Sequence, residues 1–276
     1  MGSLPIDEDQ FKQFIYTKHQ PYFDHVYRLF MFAQEALRNY KGLATDAYYA
    51  SLQLICPRAF KSFDSVRRLC EIASCEDAAV VLRSLLNLMA VTRWISLDPT
   101  KRGKRYLAWY WVQMYRISQQ SKARFPQAWI PETHKRYAAE KAQFEYQDGK
   151  GRTQMVKHWY QPEANTIRDL FKQVELEQHY VEAYEPLSGV EHSDVMAFFP
   201  MIAHAERREE ENERALAIQS DLYVPHYLRN AFQYFADIFG MCNKTMPLAD
   251  DKRFREIVDE GIQFYKAQMI ARGIQP

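Results

Sequence analysis

The sequence predicts an all-α protein, a multi-helix bundle of about eight to ten helices with no substantial sheet. Three observations predict it. Glycine is scarce, 9 residues of 276, less than half the usual ~7%, and sheet proteins draw on glycine for tight turns and bulges. Apolar residues recur three and four apart along most of the chain, the period of one helix face. Alternating apolar and polar runs, the mark of a half-buried strand, form no convincing pattern. With 47% hydrophobic and 26% charged residues, the chain can bury a large core and does not read as disordered.

The elements follow in order. Val26, Phe30, Ala33 and Leu37 make an apolar stripe between Tyr22 and Leu37. Thr45 to Ala73 reads as a helix opened by a Thr/Asp cap and bent at Pro57. Asp77 to Leu97 is apolar nearly all round, so it should be surrounded by protein, and Asp98-Pro99 stops it. Arg102 to Ser121 is a helix rich in aromatic residues, followed by a loop between Phe125-Pro126 and Ile130-Pro131 and a helix from Glu132 to Tyr146. Gln147 to Arg152 is an exposed turn. Pro162 opens a long helix to about Tyr184, which Pro186 and Ser188-Gly189 end. An apolar run from Met196 to Ile202, a charged helix from Glu206 to Ile218, and helices over Leu222 to Cys242 and Asp250 to Arg272 complete the chain. The few glycines fall mostly at turns and helix ends. One all-α domain over 1–276 accommodates all of this.

Many chemistries are excluded by spacing. No histidine has a glutamate three residues before it, as a di-metal bundle requires. There is no H-E-x-x-H, no Walker loop, no G-x-G-x-x-G and no G-x-S-x-G. Cys56, Cys70, Cys75 and Cys242 suit neither a zinc knuckle nor a disulfide framework and read as buried thiols. The sequence therefore implies no metal and no cofactor. The acidic N-terminus lacks a hydrophobic signal region, and no uncharged apolar run approaches the ~18 residues of a membrane span. The expectation is a soluble, cytoplasmic protein with no membrane partner.

The formal net charge of +1 hides an asymmetry. Residues 101–157 hold 13 Lys/Arg against 4 Asp/Glu, and residues 163–221 hold 5 against 14. The basic stretch begins with Lys101, Arg102, Lys104 and Arg105 and continues into Trp109-Tyr110-Trp111. Cations beside aromatics can hold phosphates and stack bases; the same cations can also complement the acidic stretch, within the chain or across a homodimer.

Two constellations could carry chemistry. Arg83 and Asn87 stand one turn apart on the most apolar helix. A guanidinium there keeps its proton and must reach a carboxylate such as Glu71 or Glu76, carbonyl dipoles, or an anionic ligand. Tyr184, Ser188, Glu191, His192, Ser193 and Asp194 gather at a helix end, where His192 could move a proton near pH 7 or simply make a local hydrogen bond. Arg152 and His158 share the Arg-x5-His spacing of HEPN-type helical ribonucleases, a spacing that arises by chance in a chain of this composition.

Leu82 to Leu88 with Arg93 and Lys104-Arg105-Tyr106, and Tyr184 to Ser193, together resemble a bacterial all-helical family of unknown function. Its members read Arg-Ser-Leu-x-Glu on the central helix and Tyr-x-x-Leu-Ser-x-x-x-His-x-Ser after the long helix. The resemblance covers roughly residues 65–200 and implies a helical core there, with Arg83, Tyr184, Ser188 and His192 sharing one site. The chain departs from the pattern at Asn87, where the family usually has Glu. The function expected is a binding or regulatory module for an anionic ligand, a nucleotide or nucleic-acid phosphate. The alternatives are a HEPN-like, metal-independent endoribonuclease using His192 or His158, and a structural homodimer or interaction scaffold.

Overall fold

The computed structural model describes residues 8–121, 126–191, 221, 223–271 and 273. They form helices and one two-stranded sheet, and the protein is all-α. The chain divides into two compact units. Unit 1 draws on Met1–Gly42, Leu54–Met89 and Gln178–Pro276; unit 2 draws on Leu43–Gln53 and Ala90–Glu177.

Unit 1 is built on α1 (Glu8–Asn39), α8 (Val224–Thr245) and α9 (Asp251–Ala271), with parts of α2 (Ala47–Glu71) and α3 (Cys75–Leu97). Helix α1 kinks at His19 (φ −118°, ψ 19°), two residues before Pro21, whose ring cannot follow a regular turn. The stripe of α1 is buried at Phe23, Val26, Phe30 and Ala33. It meets α8 and α9 through aromatic rings: Phe32 packs on Phe239 and Phe254, and Tyr22 packs edge-on to Phe264. Helix α2 continues through Pro57, and its Phe63 lies flat on Phe235 at 4.5 Å. Helix α3 is long and apolar enough to cross a membrane by composition, yet most of it is buried inside the protein. All four cysteines are buried and free, as their apolar surroundings imply.

Unit 2 contains α4 (Pro99–Gln120), capped by the Asp98 side chain accepting from the Lys101 backbone N–H, and α5 (Ile130–Glu140). Its core is Ala108, Val112, Phe144 and Val156, flanked by Trp109, Tyr137, Met155 and Trp159. Gly103 lies inside α4, not at an end. A Cβ there would come within 3.0 Å of the Tyr48 backbone, so glycine is what lets these two segments approach.

Three segments differ from the sequence expectation. The helix expected over Glu132 to Tyr146 stops at Glu140, and β1 (Glu145–Gln147) pairs antiparallel with β2 (Thr153–Met155), Tyr146 opposite Gln154. The turn between them is the expected one. The Asp148 carboxylate accepts from the backbone N–H groups of Lys150 and Arg152, and Gly151 takes φ +72°. The long helix expected from Pro162 is instead α6 (Ile167–Gln173), opened by a Thr166–Asp169 capping box. It ends because Glu175 adopts the left-handed φ of +58° and Leu176 N–H turns back to the Phe171 carbonyl. Last, Pro186, Ser188 and Gly189 lie within α7 (Glu185–Glu191) instead of terminating a helix. The segments 196–202 and 206–218 lie outside the described residues.

Candidate functional site

The apolar helix α3 fixes the position of Arg83 and Asn87 in unit 1. Ala78, Ala79, Leu82, Leu85 and Leu86 have no exposed surface, and the two polar residues occupy the half-buried side that this packing leaves. Arg83 Nη2 donates to the Tyr184 hydroxyl at 3.0 Å, and the guanidinium carbon lies 4.6 Å from the centre of the same ring. Tyr184 thus meets Arg83 both through its oxygen and through its π face.

Tyr184 reaches this position from an unusual backbone. Tyr180–Tyr184 is a π-helical segment between a single α turn, Glu177–His179, and α7. Such segments widen the helix by one residue per turn and recur at functional sites. Here the widening stacks Tyr180 on Tyr184 with ring centres 5.1 Å apart and planes 17° from parallel. Ser188 follows Tyr184 by one turn, on α7, and is half-buried. His192 lies outside the described residues.

Asn87 Oδ1 is buried and accepts no hydrogen bond. A buried acceptor left without a donor costs roughly 1–3 kcal/mol. Arg83 and Tyr184 are thus brought together, one helical turn from an unsatisfied acceptor. Glu71, a candidate counter-ion for Arg83, is engaged elsewhere: it accepts from Arg67 and from the Tyr27 hydroxyl. Arg67 is 6% exposed, also donates to Asp64, and lies over the Tyr27 and Phe30 rings. Burial, reinforced by the hydrogen bond to Glu71, pushes the Tyr27 phenol up to about 12. The Asp64, Arg67, Glu71 spacing of three and four was the sequence signal for this network; its charges are mutually satisfied, and it holds α2 to α1.

The basic stretch of unit 2 separates into different jobs. Arg105 is 6% exposed and donates to three backbone carbonyls, those of Trp159 at 2.6 Å, Gln143 and Gln161, while its guanidinium covers the Phe144 ring. Arg102 lies 3.8 Å from the Trp94 ring centre, donates to the Trp94 carbonyl and to Glu163, and Lys101 joins it on Glu163 at 2.8 Å. Of these four, Lys104 is exposed and forms no ion pair among the described residues. Arg152 is tied to Asp148 in the hairpin turn, and His158 stacks on Tyr160, so the Arg-x5-His pair sits on a turn and not on a helix.

Glu163 gives a pH test of this arrangement. Burial alone would raise its carboxyl, but Lys101 and Arg102 hold it below the usual range. A depressed carboxyl contributes stability above its unfolded value of ~4.3 and loses it as pH falls through the folded value. Glu163→Gln is expected to cost about 1 kcal/mol at pH 7, and the gap to the native protein in thermal unfolding should close as the pH is lowered below about 4. A gap that persists in acid would place the effect in packing instead.

Charge divides between the units as well. Unit 2 carries 16 Lys/Arg against 10 Asp/Glu, and unit 1 carries 20 against 25. Among the described residues no group of three or more His, Cys, Asp or Glu converges to hold a metal ion. A groove of about 860 Å³ in unit 1, beside α1 and α9, is bridged by the ion pairs Arg28–Glu260 and Arg253–Glu35.

A family model described as Family of unknown function (DUF5677) matches residues 49–211. No curated protein and no solved structure matches the chain.

Proposed function

As the chain belongs to this family of unknown function, we propose from its own side chains that unit 1 is a binding module for a small anionic ligand, a nucleotide or related phosphate ester, at Arg83, Asn87, Tyr184 and Ser188. The observation that carries the reading is the buried, unsatisfied Oδ1 of Asn87 one turn from Arg83. An acceptor oxygen beside a guanidinium is complementary to a ligand that offers both an anionic oxygen and an O–H or N–H. A nucleotide offers both, the phosphate for Arg83 and a ribose hydroxyl or base N–H for Asn87. A bare, fully ionised anion satisfies only half of the pair. The Tyr184 hydroxyl, polarised by accepting from Arg83, is the natural third contact.

Calorimetric titration of AMP, ATP and GTP, with inorganic phosphate as the comparison, tests the reading at about 50 and about 200 mM salt. Expected are binding of a nucleotide that weakens with salt, weaker binding of phosphate, and at least a tenfold loss in Arg83→Lys, which keeps the charge but not the planar fork. Absence of heat with every nucleotide would reject it.

A further inference from the structure

We propose that unit 2 carries a separate site, an aromatic cleft that stacks an unpaired base of single-stranded nucleic acid. The cleft encloses about 340 Å³ and is lined by Tyr110, Trp111 and Met114 of α4 and by Trp129 and Glu132 at the start of α5. Its rings are not part of the unit's core. Tyr110 is 50% exposed and Trp129 55%, with Ile117 exposed two turns beyond Tyr110 on α4. Tyr110 and Trp111 meet at 79°, edge to face, so their flat faces are not stacked on each other. A slot between such faces suits a planar heteroaromatic ring better than a branched aliphatic chain.

Charge selects the class of ring. Unit 2 has an excess of six positive charges. Lys104 precedes Trp111 by seven residues, two turns and about 10 Å along the same side of α4, and it is exposed. Lys135 is exposed one turn beyond Glu132, and Arg136 lies 5.7 Å from the Trp111 ring centre. Cations therefore flank the slot, where the phosphates on either side of a stacked base would run. Within the slot the charged group is the Glu132 carboxylate, bonded to Arg136 Nε at 2.6 Å. A carboxylate repels a phosphate but accepts from an exocyclic amine. The base enters, the backbone stays outside, and cytosine, adenine or guanine is preferred to thymine or uracil. A duplex, whose bases are already stacked, cannot fill the slot.

Fluorescence anisotropy of the full chain with labelled oligo-dC and oligo-dT of about twelve nucleotides, with the oligo-dC·oligo-dG duplex and with CMP as competitor, tests it at about 50 and about 200 mM salt. Expected are binding of oligo-dC above oligo-dT and above the duplex, weakening with salt, and poor competition by CMP, which lacks the flanking phosphates. Trp129→Ala should weaken oligo-dC at least about fivefold with the unfolding midpoint unchanged, since the ring is largely exposed. Arg83→Lys should leave oligo-dC binding intact, which separates this site from the one in unit 1. Equal binding of the duplex, equal binding by Trp129→Ala, or CMP competing as strongly as oligo-dC would overturn the proposal. So would a dimer in sedimentation that Trp129→Ala dissociates without any strand binding, because the cleft would then be a face between copies.

Discussion

Arg105→Met is expected to lower the midpoint of thermal unfolding by about 10 °C. The arginine is buried and donates to three carbonyls, from Gln143, Trp159 and Gln161, in a segment with little regular structure of its own. Methionine keeps the stem that packs on Phe144 but removes every donor. Leaving several buried acceptors unpaired costs roughly 3–5 kcal/mol, and a protein of this size shifts by about 2–4 °C per kcal/mol. Differential scanning calorimetry measures it directly. A change under about 2 °C would mean that the carbonyls find other donors, water included.

Asn87→Leu is expected to do the opposite to stability and to remove the proposed activity. Leucine keeps the branch at Cγ and deletes the orphaned acceptor, so the ligand-free protein should gain about 1–2 kcal/mol. Nucleotide affinity should fall at least tenfold in the same variant. Stability gained where binding is lost is the pattern of a functional position. Denaturant unfolding paired with titration of AMP reads both effects. If the variant is less stable than the native protein, Asn87 is a structural residue with a satisfied amide, and the proposed site loses its second contact.

What was legible in the sequence follows from which physical rule acts locally. Helix α3 announced its burial because an all-round apolar surface admits one environment, and the Asp148–Arg152 turn announced itself because its side-chain and glycine requirements lie within five residues. The end of α6 was not legible, since a glutamate occupies the left-handed position where glycine is usual. Nor was the difference between Lys104 and Arg105. Adjacent basic residues look alike in a charge count, and only the carbonyls 38 to 56 residues later show that one of them is internal. The pairing of Arg83 with Tyr184 could be anticipated only from the resemblance, because 101 residues separate them and nothing in their spacing links them.

The division of the chain between the two units has a consequence for synthesis. Every residue of unit 2 has been made once Glu177 is joined, whereas α1, made before it, packs on α8 and α9, made after it. His19 waits 202 residues for Asp221. At about 5–20 residues per second, the stretch from Gln178 to the end of α9 takes on the order of 5–20 seconds to appear. Through that interval Tyr22 and Phe32 have no α8 or α9 to cover them. The nascent protein thus exposes α1 to aggregation and to chaperones while α8 and α9 are being made, and unit 1 closes after unit 2 is complete.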